Sequence, residues 1–162
     1  MNSWRQLRLL PRPLWLLALA TIINRAGTMV LPFMTLYLIR GLGLSEGKAA
    51  SVLALYGVTA LCVGRVAGKL CDRLSPVRVM QWSLLLSATA LFCFSWAKTY
   101  PAVLAMTVLF AASAEAFRPA SMTSVSEYAP PELRKQAYAL NRLAINVGMS
   151  VGPALGGFLA AW

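Results

Sequence analysis

The sequence predicts an all-α membrane protein with five transmembrane helices. Three observations carry that prediction. Of the 162 residues, 59% are hydrophobic and only 12% charged; the mean hydropathy of +0.65 lies outside the range of ordinary soluble domains. The apolar residues are gathered into five long runs, each of about 19 to 26 residues, enough to cross ~30 Å of hydrocarbon at ~1.5 Å per residue. The basic residues, finally, stand singly between those runs rather than clustered on one face.

The first span runs over 14–39, preceded by a basic N-terminus, 1–13, with Arg5, Arg8 and Arg12. A signal peptide would also begin with basic residues before an apolar run. Here the apolar character continues well past Ala18-Leu19-Ala20 and four more spans follow, which argues against cleavage. The second span covers 49–69, after a Gly41-to-Gly47 turn in which Ser45 can cap the helix. The third covers 79–97, entered through Asp72-Arg73-Leu74-Ser75-Pro76-Val77-Arg78. The fourth covers 101–125, with Trp96 and Tyr100 at the depth of an aromatic belt. The fifth covers 137–162, after Ala129-Pro130-Pro131-Glu132-Leu133-Arg134-Lys135. No loop is long enough to hold a soluble domain.

Charge sets the expected orientation. With the N-terminus inside, Arg5, Arg8, Arg12, Lys69, Arg73, Arg78, Arg134 and Lys135 face the cytoplasm, against Arg40, Lys48 and Lys98 outside. Arg65 and Arg142, near cytoplasmic helix ends, can snorkel to the same side. The protein is therefore expected in the cell membrane, multi-pass, N-terminus cytoplasmic. The net charge of +10 does not indicate nucleic-acid binding, because it forms no soluble basic surface. With no His and three cysteines (Cys62, Cys71, Cys93) lacking metal-ligand spacing, neither a metal centre nor a disulfide framework is expected. No two carboxylates are placed to work together, so enzymatic chemistry is not expected either.

Charges inside the spans mark the candidate site, since each is costly in hydrocarbon unless used. Arg25, beside Asn24, interrupts the first span, and Glu115, followed by Arg118, interrupts the fourth; the third has none between Val79 and Ala97. Glu115 and Arg118, three residues apart, can equally form a structural ion pair on one helix face. Asn24 and Asn146 can serve as interhelical glue as readily as ligands. Pro119 is placed to kink the fourth helix.

Two motifs carry a resemblance. Gly68-Lys69-Leu70-Cys71-Asp72-Arg73, with Arg78 downstream, resembles the loop motif Gly-x-Leu-Ala-Asp-Arg-x-Gly-Arg-Lys of the major facilitator superfamily. Cys71 replaces the Ala, and Ser75 stands at the second Gly. Gly148-x-x-x-Gly152-Pro153-x-x-Gly156-Gly157 resembles the fifth-helix motif of its proton-driven drug antiporters, with Ala139 where a further upstream Gly belongs. Asn141-Arg142 and Asn146 before it are also spaced as in the superfamily's peptide transporters. Gly148, Gly152 and Gly156 share one helix face and permit close backbone approach, and Pro153 permits a bend. The same glycines, like Gly64 and Gly68, are compatible with plain packing, and Asp72-Arg73 with a solvated turn.

The resemblance covers residues 14 to 162 and implies the N-terminal portion of a six-helix half transporter, built from three-helix repeats. Helices one and four would line the cavity, placing Asn24, Arg25, Glu115 and Arg118 there, and Gly68, Asp72, Arg73 and Arg78 would form a cytoplasmic latch. It implies secondary active transport of a small-molecule substrate, proton-coupled efflux with Glu115 as carrier and no other cofactor. Helix six and the second half are absent, so the chain is expected to be incomplete, awaiting that C-terminal half as partner. The competing expectations are a small multi-pass accessory subunit and an uptake transporter for peptides or other metabolites. Loss of transport in a full-length protein on Arg25→Ala or Glu115→Gln, with membrane assembly intact, would count against the accessory subunit.

Overall fold

The computed structural model describes residues 7–160, with side chains through residue 158. Arg5 and Trp162, used above as a basic flank and as the end of the fifth span, lie outside the described residues. The elements are α1 (Arg12–Gly27), α2 (Val30–Leu36) leading into a wide turn at Tyr37–Gly41, α3 (Glu46–Arg73), α4 (Pro76–Phe94), α5 (Tyr100–Tyr128), a tight turn at Pro131–Leu133, and α6 (Arg134–Ala160). The described residues contain no strand. Arg12–Gly41 (α1, α2 and the wide turn together), Glu46–Arg73, Pro76–Phe94 and Tyr100–Tyr128 are long and apolar enough to cross a membrane. α6 is as long, but Arg134, Lys135, Asn141, Arg142 and Asn146 load its first half with polar groups, and it is not one of those four.

The first span is not one helix. α1 stops at Gly27 and the chain turns through Thr28 and Met29 before α2 begins at Val30. The cause is local. Pro32 has no N–H to give the Thr28 carbonyl and its ring crowds that carbonyl, so the ladder cannot run through. The Thr28 hydroxyl donates to the Arg25 carbonyl at 2.6 Å, competing with helix continuation. At the far end, the Leu42 N–H reaches back to the Tyr37 carbonyl at 3.1 Å. Gly43 then takes a φ of +65°, closing the turn.

Other boundaries also have local causes. Ser45 occupies the N-cap of α3, but its side chain makes no capping bond, contrary to the expectation above. α4 begins at Pro76 rather than 79, because Ser75 caps it, accepting from the Arg78 N–H at 3.4 Å, and Pro at the first helical position loses no bond. It ends at Phe94, where the Ser95 hydroxyl donates to the Phe92 carbonyl at 2.8 Å. α5 runs unbroken past Pro119 to Tyr128, and Pro130-Pro131 ends it.

The described chain divides into two compact units. One holds residues up to Val30 and from Ser121 onward, the other Leu31–Ala120. In the first, α6 packs closely on α1. A Cβ at Gly148 would lie 2.6 Å from the Arg25 Cβ and 2.7 Å from the Ile22 carbonyl oxygen; at Gly152 it would lie 2.6 Å from the Ala26 carbonyl oxygen. Only glycine permits that approach. Gly157 has open space around it, as do Gly64 and Gly68 of α3, whereas Gly148 and Gly152 are tightly packed.

In the second unit, Met34, Leu38, Ala49, Val52, Phe94, Ala97 and Val103 form a buried cluster. A serine ladder joins α4 to α5: the Ser83 hydroxyl donates to the Ser113 carbonyl at 2.6 Å and Ser87 to the Ser113 hydroxyl at 3.0 Å. Near the α4–α5 connection, Ser51 and the Tyr100 hydroxyl are 2.7 Å apart, with the Lys48 ammonium 5.5 Å from the Tyr100 ring centre.

Gly148→Ala and Gly152→Ala are each expected to lower stability by ~1–3 kcal/mol through overpacking, seen as a lower unfolding temperature in detergent. Gly157→Ala should be neutral or slightly stabilising, by up to ~1 kcal/mol, because Ala is the better helix former.

Candidate functional site

Glu115 lies at the middle of α5, and its partner is one that charge patterning did not indicate. The Tyr56 hydroxyl, from the middle of α3, donates to Glu115 Oε1 at 2.9 Å. Tyr56 is buried, 8% exposed, and its ring stands against Phe110 with centroids 6.0 Å apart. Phe110 lies one and a half turns before Glu115, so one aromatic contact and one hydrogen bond fix the phenol against α5. Arg118, one turn further along, is exposed. Among the described residues no ion pair joins it to Glu115, so the structural pair weighed above is not formed. Pro119 cannot donate to the Glu115 carbonyl four residues back, which locally weakens the ladder at the carboxylate.

Arg25 is placed differently from its sequence expectation. It sits in the last turn of α1 rather than within an unbroken helix. A helix C-terminus carries partial negative charge, which offsets part of the cost of holding a cation there. Its stem is half-buried against Gly148 of α6, and its Nε is buried without a hydrogen-bond partner among the described residues. Asn24 beside it is buried, whereas Asn146 is exposed, its backbone carbonyl accepting from the Ser150 hydroxyl at 2.9 Å. Arg25 and Asn24 belong to the first unit, Glu115 and Arg118 to the second.

A second polar cluster, also unforeseen, lies in the first unit. Thr21 of α1, Ser121 of α5 and Asn141 of α6 are 2%, 3% and 3% exposed. The Asn141 amide lies 3.2 Å from the Thr21 hydroxyl and 3.4 Å from the Ser121 hydroxyl through Oδ1, with Nδ2 turned to the Met122 sulfur at 3.8 Å. Thr21 has one proton, and the Leu17 carbonyl at 2.8 Å claims it better. Turning the amide over lets Nδ2 donate to both hydroxyls and leaves Thr21 free to donate to Leu17, so that orientation satisfies more groups.

The loop residues stand apart from these. Gly68 is half-buried near the end of α3; Asp72 and Arg73 end that helix, exposed, and Arg78 is exposed in the first turn of α4. Pro153, Gly156 and Gly157 follow the close contact on α6, Gly156 buried and the other two exposed. Among the described residues no group of three His, Cys, Asp or Glu side chains could hold a metal ion. Chemically, the second unit offers a carboxylate at mid-helix with a phenol as donor, and the first, taken by itself, a cation at a helix end.

Sequence reasoning missed Tyr56 and the Thr21–Ser121–Asn141 cluster because it followed charges. A signal existed: a tyrosine deep in an apolar span must bring its hydroxyl to a partner.

Comparison with known proteins agrees with this architecture. Residues 15–162 match the family model of the Major Facilitator Superfamily. The multidrug resistance protein MdtG of Proteus mirabilis is 32% identical over 146 residues, covering 86% of this chain and 36% of that protein. The quinolone resistance protein NorA of Staphylococcus aureus is 23% identical over 132 residues, covering 82% of this chain and 34% of that protein. The chain thus spans about a third of the length of the curated relatives it matches.

The Tyr56–Glu115 bond can be isolated by a double-mutant cycle of Tyr56→Phe and Glu115→Leu, read by thermal unfolding. A coupling of about 1 kcal/mol is expected, the usual net worth of a hydrogen bond. Additive effects would show that the two side chains act independently.

Proposed function

This chain belongs to the major facilitator superfamily, and on that premise we propose that it forms part of a proton-coupled exporter of small organic molecules in the cell membrane. The observation that carries the reading is the Tyr56–Glu115 pair. A carboxyl group at mid-helix is expensive to keep in hydrocarbon without a use. The phenol donates to it when ionised, and the hydroxyl can accept from it when protonated, so one pair of side chains serves both states. Those are the two states a proton carrier must visit.

Other features are consistent with that reading. Arg25, at the end of α1, supplies a fixed cation whose Nε is not consumed by hydrogen bonding within the described residues. The break at Thr28–Met29 and the proline in α5 give two helices a place to bend. Asp72 makes the cytoplasmic latch, accepting from donors on a facing helix, with Arg73 and Arg78 beside it as anion binders. The excess of basic residues on the side shared by the N-terminus, α3–α4 and α5–α6 supports a cytoplasmic N-terminus. The names of the two relatives, multidrug resistance and quinolone resistance, support export of organic compounds over uptake of peptides.

Expression of the full-length gene containing this segment in a pump-deficient bacterium tests the reading. Accumulation of a fluorescent cationic dye should fall several-fold, and a protonophore should restore it. Glu115→Gln should abolish export while the protein still reaches the membrane. Export that survives both the protonophore and Glu115→Gln would refute proton coupling through this residue.

A further inference from the structure

Between α3, α4 and α5 of the second unit lies a groove of about 350 Å³. Its walls are Val63, Val66, Leu70, Leu74, Val79 and Trp82, with small residues of α5 behind them. Ser83 and Ser113 also reach its surface, but both hydroxyls are spent: Ser83 donates to the Ser113 carbonyl, and Ser113 donates to the Leu109 carbonyl at 2.8 Å. The groove therefore offers nothing to a polar ligand. Its occupant must be apolar.

The length of the groove narrows the choice. From Leu74 at the α3–α4 turn to Val63 is ~16 Å of helix at ~1.5 Å per residue, close to the ~15 Å of one leaflet of a ~30 Å hydrocarbon core. The turn end is the charged end. Arg73 directly precedes Leu74, Arg78 directly precedes Val79, and Lys69 stands one turn back; all three are exposed, with Asp72 the one acid among them. Arg78 occupies the first turn of α4, where a cation is disfavoured by the helix dipole and where no acid offsets it. Helix stability does not account for that placement; cytoplasmic topology and an anion at the same end both do.

We propose that this groove seats one acyl chain of an anionic phospholipid, its phosphate held by Arg73 and Arg78. The charge of the rim, the apolar lining and the length of one leaflet select a lipid over a free anion, which has no use for the groove. The site faces the leaflet that contains the α3–α4 turn. Lipid of that leaflet would then fix the turn that carries Asp72 and Arg73. The proposal rests on the membrane reading alone and stands whether or not the protein exports anything.

Trp82 lines the groove and is 58% exposed, which makes it the probe. The full chain and its Trp82→Phe variant are placed in phosphatidylcholine vesicles containing brominated phosphatidylglycerol or, at equal fraction, brominated phosphatidylcholine. The difference in fluorescence quenching between the two proteins reports the lipid at Trp82. A preference of about fivefold to tenfold for phosphatidylglycerol is expected. It should fall to about unity in Arg73→Gln/Arg78→Gln, persist in Arg134→Gln, and resist inorganic phosphate exchanged for chloride at constant ionic strength. In the unaltered chain it should also weaken as salt is raised, a readout that needs no folded variant. Equal quenching by both lipids, competition by free phosphate, or a preference kept by the double variant would overturn the proposal.

Discussion

Asn141 brings an amide into the buried interior of the first unit, and the surrounding helices are arranged to meet it. The hydroxyls of Thr21 and Ser121 converge on that amide from α1 and α5. The same constraint operates in the second unit, where Ser83 and Ser87 of α4 close on Ser113 of α5 and Tyr56 of α3 closes on Glu115. An unpaired polar group in hydrocarbon costs several kcal/mol. In lipid there is little hydrophobic force between helices, so these pairings, with close packing, set which helix faces which.

Close packing adds a second determinant where side chains are missing. Gly148 and Gly152 let the α6 backbone meet the carbonyls of Ile22 and Ala26, and the contact falls on the last turn of α1, immediately before the break at Thr28. The residue in that turn is Arg25. Thus the end of a half-helix, its partial negative charge, the cation it tolerates and the glycine contact that holds its stem are one local arrangement. Pro32 is its origin, because an uninterrupted ladder would leave no helix end at which to place the charge.

Charges at the ends of helices do a different kind of work. Asp72, Arg73 and Arg78 are exposed at one turn, free to meet lipid or further helices, and their neighbours Leu70, Leu74, Val79 and Trp82 open an apolar groove beneath them. The turn is short because Ser75-Pro76 leaves no room for helix continuation and starts α4 at once. Basic rim and apolar groove therefore follow from the same few residues.

Much of this was legible in the chain itself. Apolar run length and the scarcity of charge determined a helical membrane protein, and the loop and glycine motifs determined its superfamily, which the family comparison bears out. Those properties are written locally, residue by residue, and need no knowledge of what lies across a helix. The break at Thr28 was also local, carried by Gly27 and Pro32, but it is masked when hydropathy alone is read, since proline and glycine hardly interrupt an apolar run. Partners were not legible. That Glu115 meets Tyr56 rather than Arg118, that Asn141 rather than Asn146 is buried, and that Gly148 is packed while Gly64 and Gly68 are open depend on helix rotation. Rotation is decided by which polar groups find partners and which backbones can touch, and both are properties of several helices at once. The sequence by itself determined that this is a helical membrane protein; the tertiary structure decided which side chains meet in it.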